Sequence, residues 1–308
     1  GNIDGLTGTV AIGHQALTAC TTGLKNTAIG YQSGQALTDD TGNTLTGYQS
    51  GQALTDSYNT AMGSEVFYTA SGAAHNAGMG YQTGYYLTTG DYNVAMGSNA
   101  MLFNQTGSNN TCLGYAAGYG ATGNSFSNNT LIGANAADAI TTGSSNVIMG
   151  TNAGGALTSS NYNVLIGVTA GDAITTGASG TTCVGYNAGS AITTGGGNTA
   201  IGHQAMDALT QGDNNLAIGY NAMTALSTTD VSDRNIAIGN YAMDGVSTLA
   251  AADNIFIGYN SGGGTWETNT STQNIGIGNY VLDADMNNAH GNVAIGHNSM
   301  SACTSGAY

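Results

Sequence analysis

The stretch GYQSGQALTD stands at residues 30–39 and again, letter for letter, at residues 47–56, an offset of seventeen. Outward from it, a shorter motif, Asn-x-small-(Ile/Met/Leu/Val)-Gly, runs through the chain. Its glycine falls at Gly13, Gly30, Gly47, Gly63, Gly80, Gly97, Gly114, Gly133, Gly150, Gly167, Gly185, Gly202, Gly219, Gly239, Gly258, Gly278 and Gly296, seventeen copies spaced 16 to 20 residues apart and most often 17. A period near twenty with no helical pattern marks a solenoid, in which each repeat is one coil that buries its apolar face only by stacking on its neighbours. The predicted fold class is therefore all-β, a parallel β-solenoid (β-roll) of about 17 coils with a 17–18 residue repeat, forming a single repeat domain over residues 1–308. Strands about 4.8 Å apart would make a rod about 80 Å long. The duplicated decapeptide is then one structural position visited on successive turns.

Alternation assigns roles within a coil. The residue before the glycine is Ile, Met, Leu or Val in every coil but the third, where it is Thr46, and is expected to point inward. The residue two before it (Val10, Val94, Val147, Leu216, Ile236, Ile255) shares that parity and that expectation. Further on, Leu or Ile recurs before Thr (Leu37, Leu54, Leu87, Ile140, Ile174, Ile192), so each coil reads as two short strands joined by glycine-containing turns.

The asparagine opening the motif is Asn26, Asn43, Asn59, Asn76, Asn93, Asn110, Asn129, Asn146, Asn163, Asn198, Asn215, Asn235, Asn254, Asn274 and Asn292, with Thr9 and Thr181 as exceptions. Stacked at one coil spacing, these amides are expected to form a structural ladder bonded to each other and to turn backbone. A second amide ladder lies two residues after the glycine (Gln15, Gln32, Gln49, Gln82, Asn99, Asn135, Asn187, Gln204).

Composition fits a stacked sheet and excludes several partners. Fifty glycines and no proline suit a backbone committed to pairing, because proline cannot donate to a ladder. Only 6% of residues are charged, with Lys25 and Arg234 the sole Lys/Arg cations against a formal charge of −15, so neither nucleic acid nor an anionic membrane is a fitting partner. No stretch reaches the roughly 18 apolar residues of a membrane helix, and GNIDGLTGTV does not read as a signal peptide.

The segments NTAIGYQ, NVAMGSN, NTAIGHQ and NLAIGYN resemble the N-S-V-A-I-G repeats of the YadA-like head domains of trimeric autotransporter adhesins, and the NTAIGY arrays of phage and environmental bacterial fibre proteins. The resemblance covers essentially the whole chain. It implies a left-handed parallel β-roll, a homotrimer and an attachment role. The coils here are longer than the 14 or 15 residues of the adhesin pattern, and no coiled-coil stalk or membrane anchor is seen.

No constellation for chemistry emerges: the expectation is no enzyme, no catalytic residue, no metal site and no cofactor. His14, His203 and His297 occupy the position after the motif glycine, where Tyr is usual, and repeat position explains them better than metal. Asp39, Asp40, Asp91, Asp213 and Asp253 lie in turns without the nine-residue rhythm of calcium rolls. The surface candidates are a tyrosine stripe after the motif glycine (Tyr31, Tyr48, Tyr81, Tyr115, Tyr186, Tyr220, Tyr259), read as stacking or as contact with surface glycans. Two irregular late loops, STTDVSDR and GGGTWETNTSTQ with the sole Trp266, are candidate specificity loops.

Cys112 and Cys183 share a repeat position four coils apart. Cys20 and Cys303 lie in the first and last coils, each seven residues after its glycine. One coil spacing lies within the Cα range of a disulfide, so head-to-tail stacking would let Cys303 of one subunit bond Cys20 of the next under oxidising conditions. The functional expectation is a structural protein at the cell surface or virion surface, forming an extracellular fibre as a self-stacking filament or adhesin shaft. The alternative is a phage tail fibre or receptor-binding adhesin that contacts host glycans.

Overall fold

The computed structural model describes residues 7–225, 232–245, 251–266, 270–286, 288–304 and 306–307. Its elements are β-strands and turns, and no helix occurs among the described residues. The contacts fall into two compact units, residues 1–148 and 149–308, and each is a parallel β-solenoid. Seventeen strands of three residues carry the motif among the described residues.

In the first unit, strands run from Val10–Ile12 through Thr27–Ile29, Thr44–Thr46, Thr60–Met62, Ala77–Met79, Val94–Met96 and Thr111–Leu113 to Thr130–Ile132. Each pairs in parallel with the next at identical coil positions, as in Ala28 opposite Leu45 and Ile29 opposite Thr46. The strand Val147–Met149 falls at the division. The second unit repeats the arrangement from Val164–Ile166 through Leu216–Ile218, Ile236–Ile238, Ile255–Ile257 and Ile275–Ile277 to Val293–Ile295.

Two expectations need correction. The second strand is absent from the 16- to 18-residue coils that hold Leu37, Leu54, Leu87, Ile140, Ile174 and Ile192, which lie between turns, although all six are fully buried. Two-residue second strands (Ala251–Ala252, Ser271–Thr272, Ala289–His290, Gly306–Ala307) appear only late in the second unit, where the motif spacing lengthens to 18–20 residues. Elsewhere the backbone still pairs coil to coil through the turns: Gln49 N–H donates to Tyr31 O (2.8 Å), and Gly51 N–H to Val66 O (2.8 Å) in the following coil.

The second correction is the parity of the motif strand. Its middle residue points inward: Ala28, Leu45, Ala61, Ala95, Cys112, Leu131, Leu165, Cys183, Ala200, Ala217, Ala237 and Phe256 are all 0% exposed. The flanking Ile, Met and Val expected inside face outward, with Ile29 37%, Met62 41%, Met79 43%, Met96 42% and Ile277 38% exposed.

Interior volume explains the choice. The other wall of each coil is supplied by the residue four after the motif glycine, and the two sizes compensate. A small middle residue faces a large one in Ala61 and Phe67, Ala95 and Met101, Ala200 and Met206, Ala217 and Met223, and Ala237 and Met243, all buried. A large middle residue faces glycine in Leu45 and Gly51, Leu165 and Gly171, and Phe256 and Gly262, where an added Cβ would press on the large side chain. Neighbouring coils share this filling. A Cβ on Gly78 would come within 2.7 Å of the Phe67 ring of the preceding coil. Close packing at crystal-like density leaves no room for large residues at both positions.

The motif glycine is held by backbone geometry. Its φ lies near +135° (Gly47 +134°, Gly97 +135°), and a Cβ there would collide with the carbonyl of the next coil's motif glycine.

Candidate functional site

The motif asparagines form a buried ladder. Asn43 Nδ2 donates to Asn26 Oδ1 (3.3 Å) and to Asp56 O (3.0 Å), while Asn26 Oδ1 also accepts from the Asn43 backbone N–H (2.9 Å). The same three contacts recur at Asn59, Asn76, Asn93, Asn110 and Asn129 in the first unit, and Asn146 stacks on Asn129. In the second unit they recur at Asn215, Asn235, Asn254 and Asn274, and Asn292 stacks on Asn274; Asn198 donates to Gly212 O, and Asn163 Oδ1 accepts from Thr181 N–H. Thr181 substitutes a hydroxyl, reaching Gly195 O at 3.5 Å. These amides are spent on turn backbone, which leaves little capacity for a ligand.

Two residues after the motif glycine, φ is positive at Gln15, Gln32, Gln49, Gln82, Asn99, Asn135, Asn187 and Gln204. Gln32 Nε2 donates to Gln15 Oε1 and Gln49 Nε2 to Gln32 Oε1, both at 2.7 Å, whereas Gln82 donates to Glu65 (2.8 Å) and Gln204 to Asp207 (3.2 Å).

The tyrosine stripe is exposed: Tyr31, Tyr48, Tyr81, Tyr115, Tyr186, Tyr220 and Tyr259 all have more than two fifths of their surface open. The structure joins some of them and the histidines into stacks. His14, Tyr31 and Tyr48 lie face to face with centroids 5.5 and 5.4 Å apart, and Tyr186, His203 and Tyr220 at 5.0 and 5.1 Å. Tyr259 instead meets Tyr241 and Tyr280 edge-on. Ring faces inside a stack are covered by neighbouring rings, so only their edges are offered to a ligand. Tyr81 and Tyr115 differ, standing among Ser64, Ser98 and Ala134 at the same coil position. Sequence reading missed three further rows, one of them Tyr86 stacked on Phe103 at 4.9 Å. Tyr58, His75 and Tyr92 stack at 5.0 Å in the positive-φ position before the motif asparagine, and Tyr68 stacks on Tyr85 at 4.8 Å. Their seventeen-residue spacing was the available signal.

Trp266 is not a surface specificity residue. It is 1% exposed, packs edge-on to Phe256 (5.7 Å), and its Nε1 has no hydrogen-bond partner. The indole lies in the interior of this longer coil. In STTDVSDR, residues 227–231 lie outside the described residues, as do residues 267–269 of the other loop.

Cys112 and Cys183 are buried, and desolvation pushes both thiols up, Cys183 to about 12. Cys20 and Cys303 are half-buried. No group of three or more His, Cys, Asp or Glu side chains placed to hold a metal occurs among the described residues. His290 bonds Thr272 (2.9 Å) and Asn288 (3.2 Å), and His297 lies edge-on to Tyr280 (6.0 Å).

Asp172, Asp207, Asp244 and Asp283 of the second unit share one coil position, five after the motif glycine, in every second coil, alternating with Ser190, Thr224 and Gly263. Burial raises the carboxyls of Asp172 and Asp207 above the ordinary range, and that of Asp244 to about 6.

Compared with known protein families, characterised proteins and solved structures, the chain matches none.

Proposed function

We propose that the chain is a non-enzymatic structural protein, the repeating body of an extracellular fibre or filament, built as a self-stacking β-solenoid or an adhesin shaft. The observation that carries this reading is the coil-to-coil asparagine ladder: the buried motif asparagines are engaged in holding one coil to the next. Extracellular placement is supported by the two Lys/Arg residues, Lys25 and Arg234, which leave trypsin-like proteases few sites to cut.

Negative-stain electron microscopy of the purified chain in non-reducing buffer tests the reading. Unbounded filaments support self-stacking. Discrete particles of single-chain size remove that form and leave the adhesin or tail-fibre reading. Tyr81 and Tyr115 favour that second reading, being 50% and 58% exposed outside the stacks. On a glycan array, binding that disappears in Tyr81→Ala/Tyr115→Ala would support it, and an unchanged profile would remove those rings from consideration.

A further inference from the structure

We infer that the outward strand face of the second unit is a self-association surface that packs face to face on the same face of a second copy of this chain. This surface lies on the flank of the coils, separate from the coil faces through which end-to-end stacking would run.

Leu216, Ile218, Ile236, Ile238, Ile255 and Ile257 occupy three successive strands with their side chains on the outer face, none of them buried. The neighbouring strands extend the same two columns, with Ile201 37% and Ile277 38% exposed. Strand positions carry no charged residue, although the chain has a formal charge of −15. All-parallel sheets are found with both faces covered, and aliphatic columns on both faces are the mark of such a sheet. Here the inner face is covered by the coil's own turns, and the outer face has no cover among the described residues.

Area and period identify the occupant. Eight paired strands from Val164–Ile166 to Val293–Ile295, at about 4.8 Å each and about 12 Å across the two columns, present about 450 Å² in projection. A contiguous apolar patch of that order marks an interaction site. Corrugated side chains add to the projection, so pairing two such faces buries on the order of 1,000 Å², about the minimum for a specific interface. The partner must also repeat every 4.8 Å over the full strip to interdigitate, and a second copy meets that requirement through an isologous contact. Sheets pack about 10 Å apart, or about 5 Å from each backbone to the midplane. Three strips held about 5 Å from a common axis would form a triangle with sides of about 17 Å, so strips about 12 Å wide would leave its corners unfilled, and two copies cover the face more completely than three.

The test is sedimentation velocity and light scattering in reducing buffer, which removes any disulfide contribution. Wild-type protein is expected at twice the 30.6 kDa chain mass. Ile238→Lys/Ile257→Glu places opposite charges directly opposite each other in adjacent strands, which preserves the sheet while the apolar partner leaves them unsolvated. Self-association should weaken at least about a hundredfold with an unchanged far-UV circular dichroism spectrum. Should that variant lose its fold, Ile238→Thr/Ile257→Thr keeps strand propensity and should weaken association at least about tenfold. In any longer assembly, mass per unit length should halve with either variant. A wild-type mass of one or three chains, or folded variants that associate as the wild type does, overturns the inference. Filaments that lose half their mass per length would uphold pairing and stacking together, whereas paired particles without filaments would uphold pairing alone.

Discussion

Asparagine puts an acceptor and a two-proton donor on a side chain short enough to tuck beneath its own turn. Asn93 uses both: Oδ1 accepts from Asn110 N–H and Nδ2 at 3.0 Å each, while Nδ2 donates to Gly107 O at 3.0 Å. Asn93→Ala leaves a buried amide and a buried carbonyl unpaired and should lower stability in urea denaturation by about 2–4 kcal/mol. Asn93→Thr, the natural choice at Thr181, should lose less than half as much. Asp244 titrates in the opposite sense from a salt-bridged carboxylate. Burial raises it to about 6 in the fold against about 3.9 unfolded. Its favourable contribution is therefore full below about pH 4 and is lost as pH rises through about 6. Asp244→Asn should raise the melting temperature at pH 7.5 and leave it nearly unchanged at pH 4. At this scale the ladder residues were legible in the sequence, because one position with one chemical task repeats. Trp266 was not, since a single irregular residue has no repeats to compare.

The element is the coil, and its inside was legible only in part. A three-residue strand is too short for alternation to show a parity, and here all three positions are often apolar, as in Ile255–Ile257 and Val164–Ile166. The usable signal was reciprocal size between the strand's middle residue and the residue four after the glycine. That reciprocity makes the pair testable. Ala217→Leu should cost about 1–3 kcal/mol by overpacking against Met223, and Met223→Gly should cost about 2–5 kcal/mol by opening a cavity. Combined, they recreate the Leu45 and Gly51 arrangement, and a double-mutant cycle should return a favourable coupling above about 1 kcal/mol. Additive losses would break the compensation argument. Deletion of residues 31–47 removes one coil in register, and nearest-neighbour stacking predicts a folded product melting within a few degrees of the parent. Deletion of residues 31–46 instead leaves an extra glycine after Gly30 and shifts the inward residues Gly51 and Leu54 by one within that coil, so its melting temperature should fall further than that of the in-register deletion.

For the whole molecule, composition and period were enough to reach an all-β parallel solenoid, and they also fixed its electrostatics. With only Lys25 and Arg234 as Lys/Arg cations and a formal charge of −15, two copies repel at long range. The outward strand face offers no ion pair to offset this. Raising NaCl from about 50 to 500 mM, which shortens the screening length several-fold, should therefore tighten self-association; weakening would mean that polar contacts, not aliphatic ones, join the copies. The second unit relieves the same repulsion internally. Asp172, Asp207, Asp244 and Asp283 occupy alternate coils, about 9.6 Å apart rather than 4.8 Å. The outward face itself was hidden from the sequence by the parity problem, since its residues were read as core.

The matched backbone register of successive coils reaches into heredity. Because Leu45 fills the space above Gly51 within one coil, and the decapeptide from Gly30 to Asp39 recurs from Gly47 to Asp56, a coding segment of one coil can be gained or lost by unequal recombination without disturbing the packing on either side. Natural variants should then differ by whole coils, so that the number of coils varies among lineages in discrete steps while the make-up of a coil is inherited unchanged.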